Sequence, residues 1–102
     1  MKGRSPNKAE LQWMVAIREI GCIVCREHHH QETPAAVHHI DGKTKPGAHL
    51  LTIPLCSRHH QYRDNQKPPR WISRHGDGRK AFEREYGSEM AMLGRCKELI
   101  DG

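Results

Sequence analysis

Residues 35–60 read AAVHHIDGKTKPGAHLLTIPLCSRHH. Two short apolar stretches in this segment, 35–40 and 49–55, have the length and composition of strands, and the glycine-containing loop between them carries turn signals. Pro54 indicates an edge position or a bulge in the second strand, because proline has no backbone N–H to donate. Helical character follows at 56–65. We therefore expect a strand–loop–strand–helix unit at the centre of the chain.

Helices are predicted on both sides of this unit. Residues 8–20 have apolar positions at helical spacing, Asn7 and Glu10 form the pattern of a capping box, and a glycine follows the last helical residue. A short helix is expected at 79–86, ended by Gly87, and a last helix is expected to start after its capping residue Ser88 and to run to Ile100. Together with the central unit, these helices predict a small α+β fold.

Four residues have the spacing of a structural zinc site. Cys22 and Cys25 form a C-x-x-C turn, and Cys56 and His59 stand three residues apart at the start of the predicted helix. Zinc prefers four such thiolate or imidazole ligands, and residues at i and i+3 of a helix lie on the same side. Cys96 is predicted to be a core residue of the last helix; the alternative is that it replaces His59 in a four-cysteine site.

The composition favours a small basic domain whose fold needs a stabilising cross-link such as a bound metal ion. Of the 102 residues, 35% are hydrophobic and 5% aromatic, so the core is thin and requires a metal, a disulfide or a partner. The formal net charge of +5 suggests a polyanion partner, nucleic acid first. No apolar run approaches the roughly 20 residues of a membrane span, and the first residues lack the apolar region of a signal peptide. We therefore expect a cytoplasmic location and no membrane partner.

Three further histidines, His38, His39 and His60, stand where they can serve a second site. His59 and His60 are neighbours on the predicted helix and point roughly 100° apart, so they suit two different sites. His38 and His39 are neighbours on a strand, where successive side chains point to opposite faces. They share one site only if the strand ends or is distorted there, and Asp41-Gly42 just beyond indicates such an end. The alternative for each is a solvated or core histidine.

The motifs VHHIDG and PLCSRHH, together with CIVC, resemble the signature of HNH endonucleases, whose two strands and one helix hold a divalent metal ion in a ββα-metal fold. A closer resemblance covers nearly the whole chain. The runs KGRSP, CIVC, HHIDGKTKPGAH, PLCSRHHQ and RHGDG, in this order, are similar to the Ref (recombination enhancement function) nucleases of temperate phages. This resemblance implies a phage- or prophage-encoded, metal-dependent endonuclease that hydrolyses DNA held by RecA filaments in the bacterial host cell.

The resemblance also implies a role for each histidine. His39 would be the general base that activates water, while His38 and His60 would hold the metal ion of the active site. His75, within RHGDG, would be a further ligand of this ion. His49 would lie near the catalytic centre, where HNH enzymes have their middle asparagine. Mg²⁺ or Mn²⁺ would support turnover, and Zn²⁺, which imidazole ligands suit, is the ion expected in a structure.

The implied fold is a single zinc-stapled HNH domain over 1–102. Its parts are an N-terminal helix at 7–20, a ββα core at 22–66 and a C-terminal helical part at 67–102.

The sequence departs from the resemblance in two respects. The middle position of the HNH motif is not an asparagine, and the basic N-terminal extension of the Ref nucleases has no counterpart here. We expect the phosphate contacts of that extension to be missing, so that DNA affinity and RecA dependence differ.

Cations around the proposed site predict contacts with the DNA backbone. Such charges usually form a solvated face, but beside a centre that cuts phosphodiester bonds they would follow the phosphates. The partners that the resemblance implies are single-stranded DNA or D-loops and the RecA filament. His28, His29 and His30 lie in a predicted polar loop and are expected to be solvated. The residues expected to bind DNA are Lys43, Lys45, Arg58, Arg63 and Arg74.

Two other functions remain compatible with the sequence. One is an HNH endonuclease of a phage or mobile element that cuts DNA without RecA. The other is a zinc-finger module that binds DNA without cutting it, which would hold one zinc ion and would not depend on His39. A metal-binding scaffold with no nucleic acid partner is disfavoured by the positive charge and by the order of the histidines.

Overall fold

The computed structural model describes residues 5–61 and 72–102. Within these residues the chain forms four α-helices and a two-stranded sheet, with a π-helical turn at Cys25–His29 and a 3-10 turn at Ala48–Leu50. The predicted α+β class is confirmed. The helices and strands are α1 (Lys8–Ile20), β1 (Ala36–His39), β2 (Thr52–Leu55), α2 (Ser57–His60), α3 (Arg79–Tyr86) and α4 (Glu89–Asp101).

Helix α1 begins and ends where the local sequence predicts. The Asn7 side chain accepts a hydrogen bond from the backbone N–H of Glu10 at 2.8 Å, and the Glu10 carboxylate accepts one from the N–H of Asn7 at 2.8 Å. Gly21 ends the helix at φ +82°, and a Cβ at this position would lie 3.0 Å from the carbonyl oxygen of Thr33. The N–H of Cys22 donates to the same carbonyl at 2.9 Å, which fixes the turn that carries the first cysteine.

Strands β1 and β2 pair antiparallel, and this pairing sets the direction of the two histidines at the end of β1. His38 lies opposite Ile53, and His39 lies opposite Thr52. Pro54 is inside β2, as the sequence indicates for an edge strand. In a sheet of two strands each strand has a free edge, so the missing N–H of proline breaks no ladder.

The second strand begins later than the sequence predicts. The predicted strand was 49–55, whereas Ala48–Leu50 form a 3-10 turn that precedes β2. Gly47 starts this turn at φ +76°, and the N–H of Leu51 closes it by donating to the first carbonyl of the turn at 3.1 Å. The turn places His49 in a buried position, 5% exposed, instead of on a strand face.

The segment that follows Cys25 is a second difference from the prediction. The sequence predicts a polar loop at 26–34, but the first part of it belongs to the π-helical turn. The carbonyl of Cys25 accepts hydrogen bonds from the N–H groups of both His30 and Gln31, and His30 ends the turn at φ +52°. The turn is anchored by its first residue, Cys25, which is buried. The polar composition of the segment does not reveal this burial.

The hydrophobic core lies between β2 and the helices packed on it. Helices α1 and α4 both contact β2, and α3 adds the rings of Phe82 and Tyr86. Cys96 is fully buried in this core, as predicted. The largest fully buried apolar side chains are Ile17, Ile23, Val24, Ile53, Leu55, Phe82, Met92 and Leu93.

The C-terminal helices have the predicted bounds to within one residue. Gly87 ends α3, and Ser88 caps α4 by accepting a hydrogen bond from the N–H of Ala91 at 3.1 Å. Helix α2 ends at His60. The continuation of the predicted helix over 62–65 lies outside the described residues. In the part of the chain that is described, no helix combines the length and apolar character needed to cross a membrane.

Candidate metal centres and active-site cleft

Three cysteines and one histidine meet in a buried group, the Cys3His cluster. Cys22 and Cys25 come from the turn after α1, Cys56 lies between β2 and α2, and His59 belongs to α2. Nδ1 of His59 lies 3.5 Å from Sγ of Cys22, 3.5 Å from Sγ of Cys25 and 3.2 Å from Sγ of Cys56. Sγ of Cys25 and Sγ of Cys56 are 3.7 Å apart.

These separations match the edges of a tetrahedron around one zinc ion. Zn–S bonds of about 2.3 Å and a Zn–N bond of about 2.0–2.1 Å give S–S edges of about 3.8 Å and S–N edges of about 3.6 Å at tetrahedral angles. The four ligand atoms all lie within 4.8 Å of one another, and all four residues are buried. The cluster can therefore hold a metal ion such as zinc. Cys96 packs in the core instead, so the four-cysteine alternative is not formed.

A further histidine packs against this cluster from the π-helical turn. Nε2 of His29 lies 3.2 Å from Nε2 of His59, and the two rings are stacked with their centroids 5.1 Å apart. The sequence predicted that His28, His29 and His30 are solvated. This is correct for the exposed His28 and His30 but wrong for the half-buried His29. His29 stands where the second ring nitrogen of a metal-binding histidine normally finds a partner.

A second group of potential ligands is the histidine triad of His38, His60 and His75. One ligand atom from each lies within 4.8 Å of the others, and the ring centroids are 4.9–5.2 Å apart. His38 comes from β1, His60 from α2 and His75 from the turn before α3. The N–H groups of Arg74 and His75 donate to the carbonyls of His59 and His60 at 2.7 and 2.9 Å. These two bonds fasten the turn to α2.

The neighbouring residues His59 and His60 belong to different groups of ligands. His59 is fully buried in the Cys3His cluster, whereas His60 is partly exposed in the triad. Successive side chains of a helix point about 100° apart, so the single turn of α2 presents one ring to each group. The structure thus places each of the two rings in the group that the sequence predicts for it.

Burial lowers the pKa of two of the three triad histidines, His60 and His75. Burial first, and then the nearby His38 and His75, lower the pKa of His60 to about 4. Burial is also the main cause that lowers the pKa of His75. Neutral imidazole is a metal ligand and imidazolium is not, so a lowered pKa extends metal binding to lower pH. At neutral pH the triad can hold a divalent ion.

His39 and His49 form a pair beside the triad. Nε2 of His39 lies 3.0 Å from Nδ1 of His49, and β1 ends at His39, as expected if His38 and His39 serve one site. Burial first, and then His49, lower the pKa of His39, so its ring is neutral at neutral pH. The cleft that His39 shares with the triad has a volume of about 260 Å³ and is lined by Val37, His38, His39, Gly42, Lys43, His60, Gln61 and His75.

Glu89 is a residue of this site that the sequence did not indicate. Its carboxylate is fully buried, and Oε2 accepts a hydrogen bond from Nε2 of His38 at 2.6 Å. Oε1 accepts one from Nε of Arg74 at 2.7 Å and lies 3.3 Å from Nε of Arg79. A glutamate in the first turn of a helix is sufficiently explained by the helix dipole. The sequence therefore offers no sign of this contact.

Four of the five cations predicted to bind DNA lie in the described part of the chain. Lys43 lines the cleft, and Lys45 and Arg58 are exposed. Arg74 is only 16% exposed, and one edge of its guanidinium is engaged by Glu89 inside the protein. Arg63 lies outside the described residues.

A family model described as "Recombination enhancement, RecA-dependent nuclease" matches residues 6–101. The matched region includes the Cys3His cluster and the histidine triad, together with His39, His49 and Glu89. It spans nearly the whole chain, so the match concerns the complete described fold and not one short motif.

Proposed function

Because this chain belongs to the family of recombination enhancement, RecA-dependent nucleases, we propose that its nuclease centre is the cleft formed by the histidine triad and the pair of His39 and His49. The proposed reaction is hydrolysis of a DNA phosphodiester bond. The observation that carries the proposal is one cleft lined by the three potential metal ligands of the triad and by His39, whose ring hydrogen-bonds to His49. The proposal treats 1–102 as one nuclease domain, whose strands and helix are held together by the Cys3His cluster.

The triad fits a divalent metal ion, and we propose Mg²⁺ or Mn²⁺ as the activating ion. Three protein ligands leave further coordination positions for water and substrate, as is usual in catalytic metal sites. When bound, the ion would supply positive charge to the scissile phosphate and to the leaving oxygen. Imidazole ligands favour transition metals, so Mn²⁺ is expected to bind more tightly than Mg²⁺, and Zn²⁺ is the ion expected in the isolated protein.

His39 is proposed as the general base. If its Nε2 donates a proton to Nδ1 of His49, its own Nδ1 becomes the ring nitrogen that accepts a proton from the attacking water. After the transfer, the His39 imidazolium keeps its donor on His49. His49 therefore has the proposed role of orienting the base.

The order of the elements supports an HNH type of site. The proposed base ends β1, the loop that follows contributes His49, and α2 contributes His60 as a metal ligand. Where an HNH enzyme has its middle asparagine, this chain has a histidine that hydrogen-bonds to the proposed base. A change from amide to imidazole keeps a polar partner at that position.

We propose that DNA approaches along the basic rim of the cleft. Lys43 lines the cleft, and the exposed Lys45 and Arg58 lie in the same loop and in α2, respectively. These cations would contact phosphates, which gives affinity without sequence preference. Arg63 and Arg74 are the other proposed contacts. The proposed substrates are single-stranded DNA and D-loops bound by RecA filaments, because the family is described as RecA-dependent and acts in recombination.

A nicking assay tests the proposed function. Labelled single-stranded DNA and D-loops would be incubated with Mg²⁺ or Mn²⁺, with and without RecA and ATP. We expect cleavage only in the presence of RecA, and its loss in His39→Ala by about 10²–10⁴-fold. His30→Asn is the matched control, because His30 is exposed and asparagine tolerates its positive φ. It should cleave like the wild type.

Each other outcome points to a different function. Cleavage without RecA that still requires His39 would indicate a RecA-independent HNH endonuclease. Undiminished cleavage by a folded His39→Ala protein would contradict the assignment of the base. DNA binding with no cleavage under any condition would favour a zinc-stapled binding module and would overturn the proposed nuclease centre.

A further inference from the structure

We propose that Glu89 is a positioning residue for the histidine triad, because its carboxylate fixes the ring of His38. The inference rests on the proposed metal centre and adds to it a buried carboxylate that is not itself a ligand. In this arrangement His38 donates its Nε2 proton to Glu89. Its Nδ1 is then the ring nitrogen left for an ion shared with His60 and His75.

The contact between the two side chains is short and shielded from water. Nε2 of His38 and Oε2 of Glu89 are 2.6 Å apart, and the side chains are 1% and 0% exposed. A ring N–H that donates to a carboxylate forms a charge-assisted hydrogen bond, which is stronger than a neutral one. Because no water competes for either partner, the ring of His38 has one strongly preferred orientation.

The carboxylate remains ionised inside the protein because cations surround it. Burial by itself would raise the pKa of Glu89, but hydrogen bonds from His38 and Arg74 outweigh burial and hold that pKa below its usual value. Nε of Arg74 lies at 2.7 Å and Nε of Arg79 at 3.3 Å from Oε1. Both oxygens of the Glu89 carboxylate thus face N–H donors, Oε2 that of His38 and Oε1 those of the two arginines.

Helix capping does not account for the position of this side chain. Glu89 is the first residue of α4, but Ser88 already supplies the capping oxygen to the N–H of Ala91. The backbone N–H of Glu89 donates to the carboxylate of Glu83 at 2.8 Å. These two partners cap two N–H groups of the first turn of α4, and the Glu89 carboxylate is directed instead to β1 and His38.

The chemical effect follows from the general behaviour of metal-binding histidines. Such a histidine normally donates its other ring N–H to a carboxylate or carbonyl, which fixes the tautomer and makes the ligating nitrogen more basic. Loss of the partner typically costs about 10–100-fold in metal affinity or activity. An ion pair that merely joined α4 to β1 would not change metal affinity in a protein that remained folded.

Manganese binding tests the inference, because the electron paramagnetic resonance signal of free Mn²⁺ reports binding without any nuclease reaction. The full chain, carrying one equivalent of zinc, would be titrated with Mn²⁺. We expect Glu89→Gln to raise the Kd by about 10–100-fold, with unchanged zinc content and circular dichroism. The matched control is Glu83→Gln, which alters the same network without touching His38 and should change the Kd by less than about twofold.

Nitrogen-15 NMR of the histidine rings gives a second measurement that requires no substitution. In the wild-type protein it should show the ring proton of His38 on Nε2. A proton found on Nδ1 instead would overturn the inference. So would a folded Glu89→Gln protein that binds Mn²⁺ as tightly as the wild type.

The result of the Mn²⁺ titration can be interpreted independently of the result of the nicking assay. Mn²⁺ binding that requires His60 and Glu89, in a protein that cuts no DNA, would contradict the proposed nuclease function and support the positioning role. DNA cleavage by a protein whose triad binds no Mn²⁺ would overturn the positioning role and leave the nuclease function in place.

Discussion

At the scale of single residues, His49 acts on the proposed base through one hydrogen bond, so its loss should weaken catalysis without abolishing it. We expect His49→Ala to lower kcat by about 10–100-fold, as is typical for the loss of an orienting partner, with Mn²⁺ affinity unchanged. Single-turnover cleavage of RecA-bound DNA measures this. A loss as large as that of His39→Ala would place His49 in the chemistry itself, and no loss would remove its orienting role.

The residues of the site differ in how well sequence reasoning can identify them. The pairs Cys22 with Cys25 and Cys56 with His59 are predictable because a spacing of three residues already places two ligand atoms side by side. Glu89 is not, because it meets a histidine 51 positions away, and its local context is fully explained as the start of a helix. His29 is missed for another reason: its ring is turned inward by a π-helical turn, which has no sequence period that reveals it.

At the scale of elements, the junction between α1 and the first cysteine depends on a glycine. Gly21 has φ +82° and ψ 178°, a region that is essentially restricted to glycine, and a Cβ added there would lie 3.0 Å from the carbonyl oxygen of Thr33. We expect Gly21→Ala to lower the free energy of unfolding by about 1–3 kcal/mol, measured by denaturant titration of the zinc-loaded protein.

A second glycine supplies the control for this substitution. Gly94 lies exposed inside α4, and a Cβ there would meet no atom within 4 Å. Gly94→Ala should therefore raise the free energy of unfolding by about 0.5–1 kcal/mol, because alanine loses less backbone entropy in a helix. Equal effects of the two substitutions would contradict the role assigned to the Gly21 junction.

The elements that could be predicted are those whose signals are local. α1, α3 and α4 carry apolar positions at helical spacing and have capping residues or glycines at their ends, so their bounds follow from the sequence. The turns at Cys25–His29 and Ala48–Leu50 are different, because they are shaped by what they bury. The sequence of residues 49–55 predicts one strand, but Gly47 adopts a left-handed conformation and turns the chain before β2 begins.

At the scale of the whole molecule, the Cys3His cluster joins the turn after α1 to the start of α2, and the hydrophobic core is thin. Zinc binding in small zinc-stapled domains contributes about 10–16 kcal/mol, which is comparable to the total free energy of unfolding of a typical domain, about 5–15 kcal/mol. We expect a strong chelator to unfold the chain and zinc to refold it. Circular dichroism with and without the chelator measures this.

Two cysteine substitutions sharpen the test of zinc dependence. Cys56→Ser should lose the bound zinc, whereas Cys96→Ser should retain one zinc ion per chain, because Cys96 packs in the core away from the cluster. Metal analysis of the purified proteins distinguishes them. A native circular dichroism spectrum in chelator would contradict the stabilising role of the cluster.

The two groups of ligands are joined by the peptide bond between residues 59 and 60, and this restricts how such a chain can diverge in evolution. Insertion or deletion of one residue in α2 would rotate one ring by about 100° and remove it from its group. Extra residues at 41–46, in the loop that precedes the 3-10 turn of His49, rotate none of these ligands. Descendants of this chain can therefore lengthen that loop, but they must inherit the spacing from Cys56 to His60 unchanged.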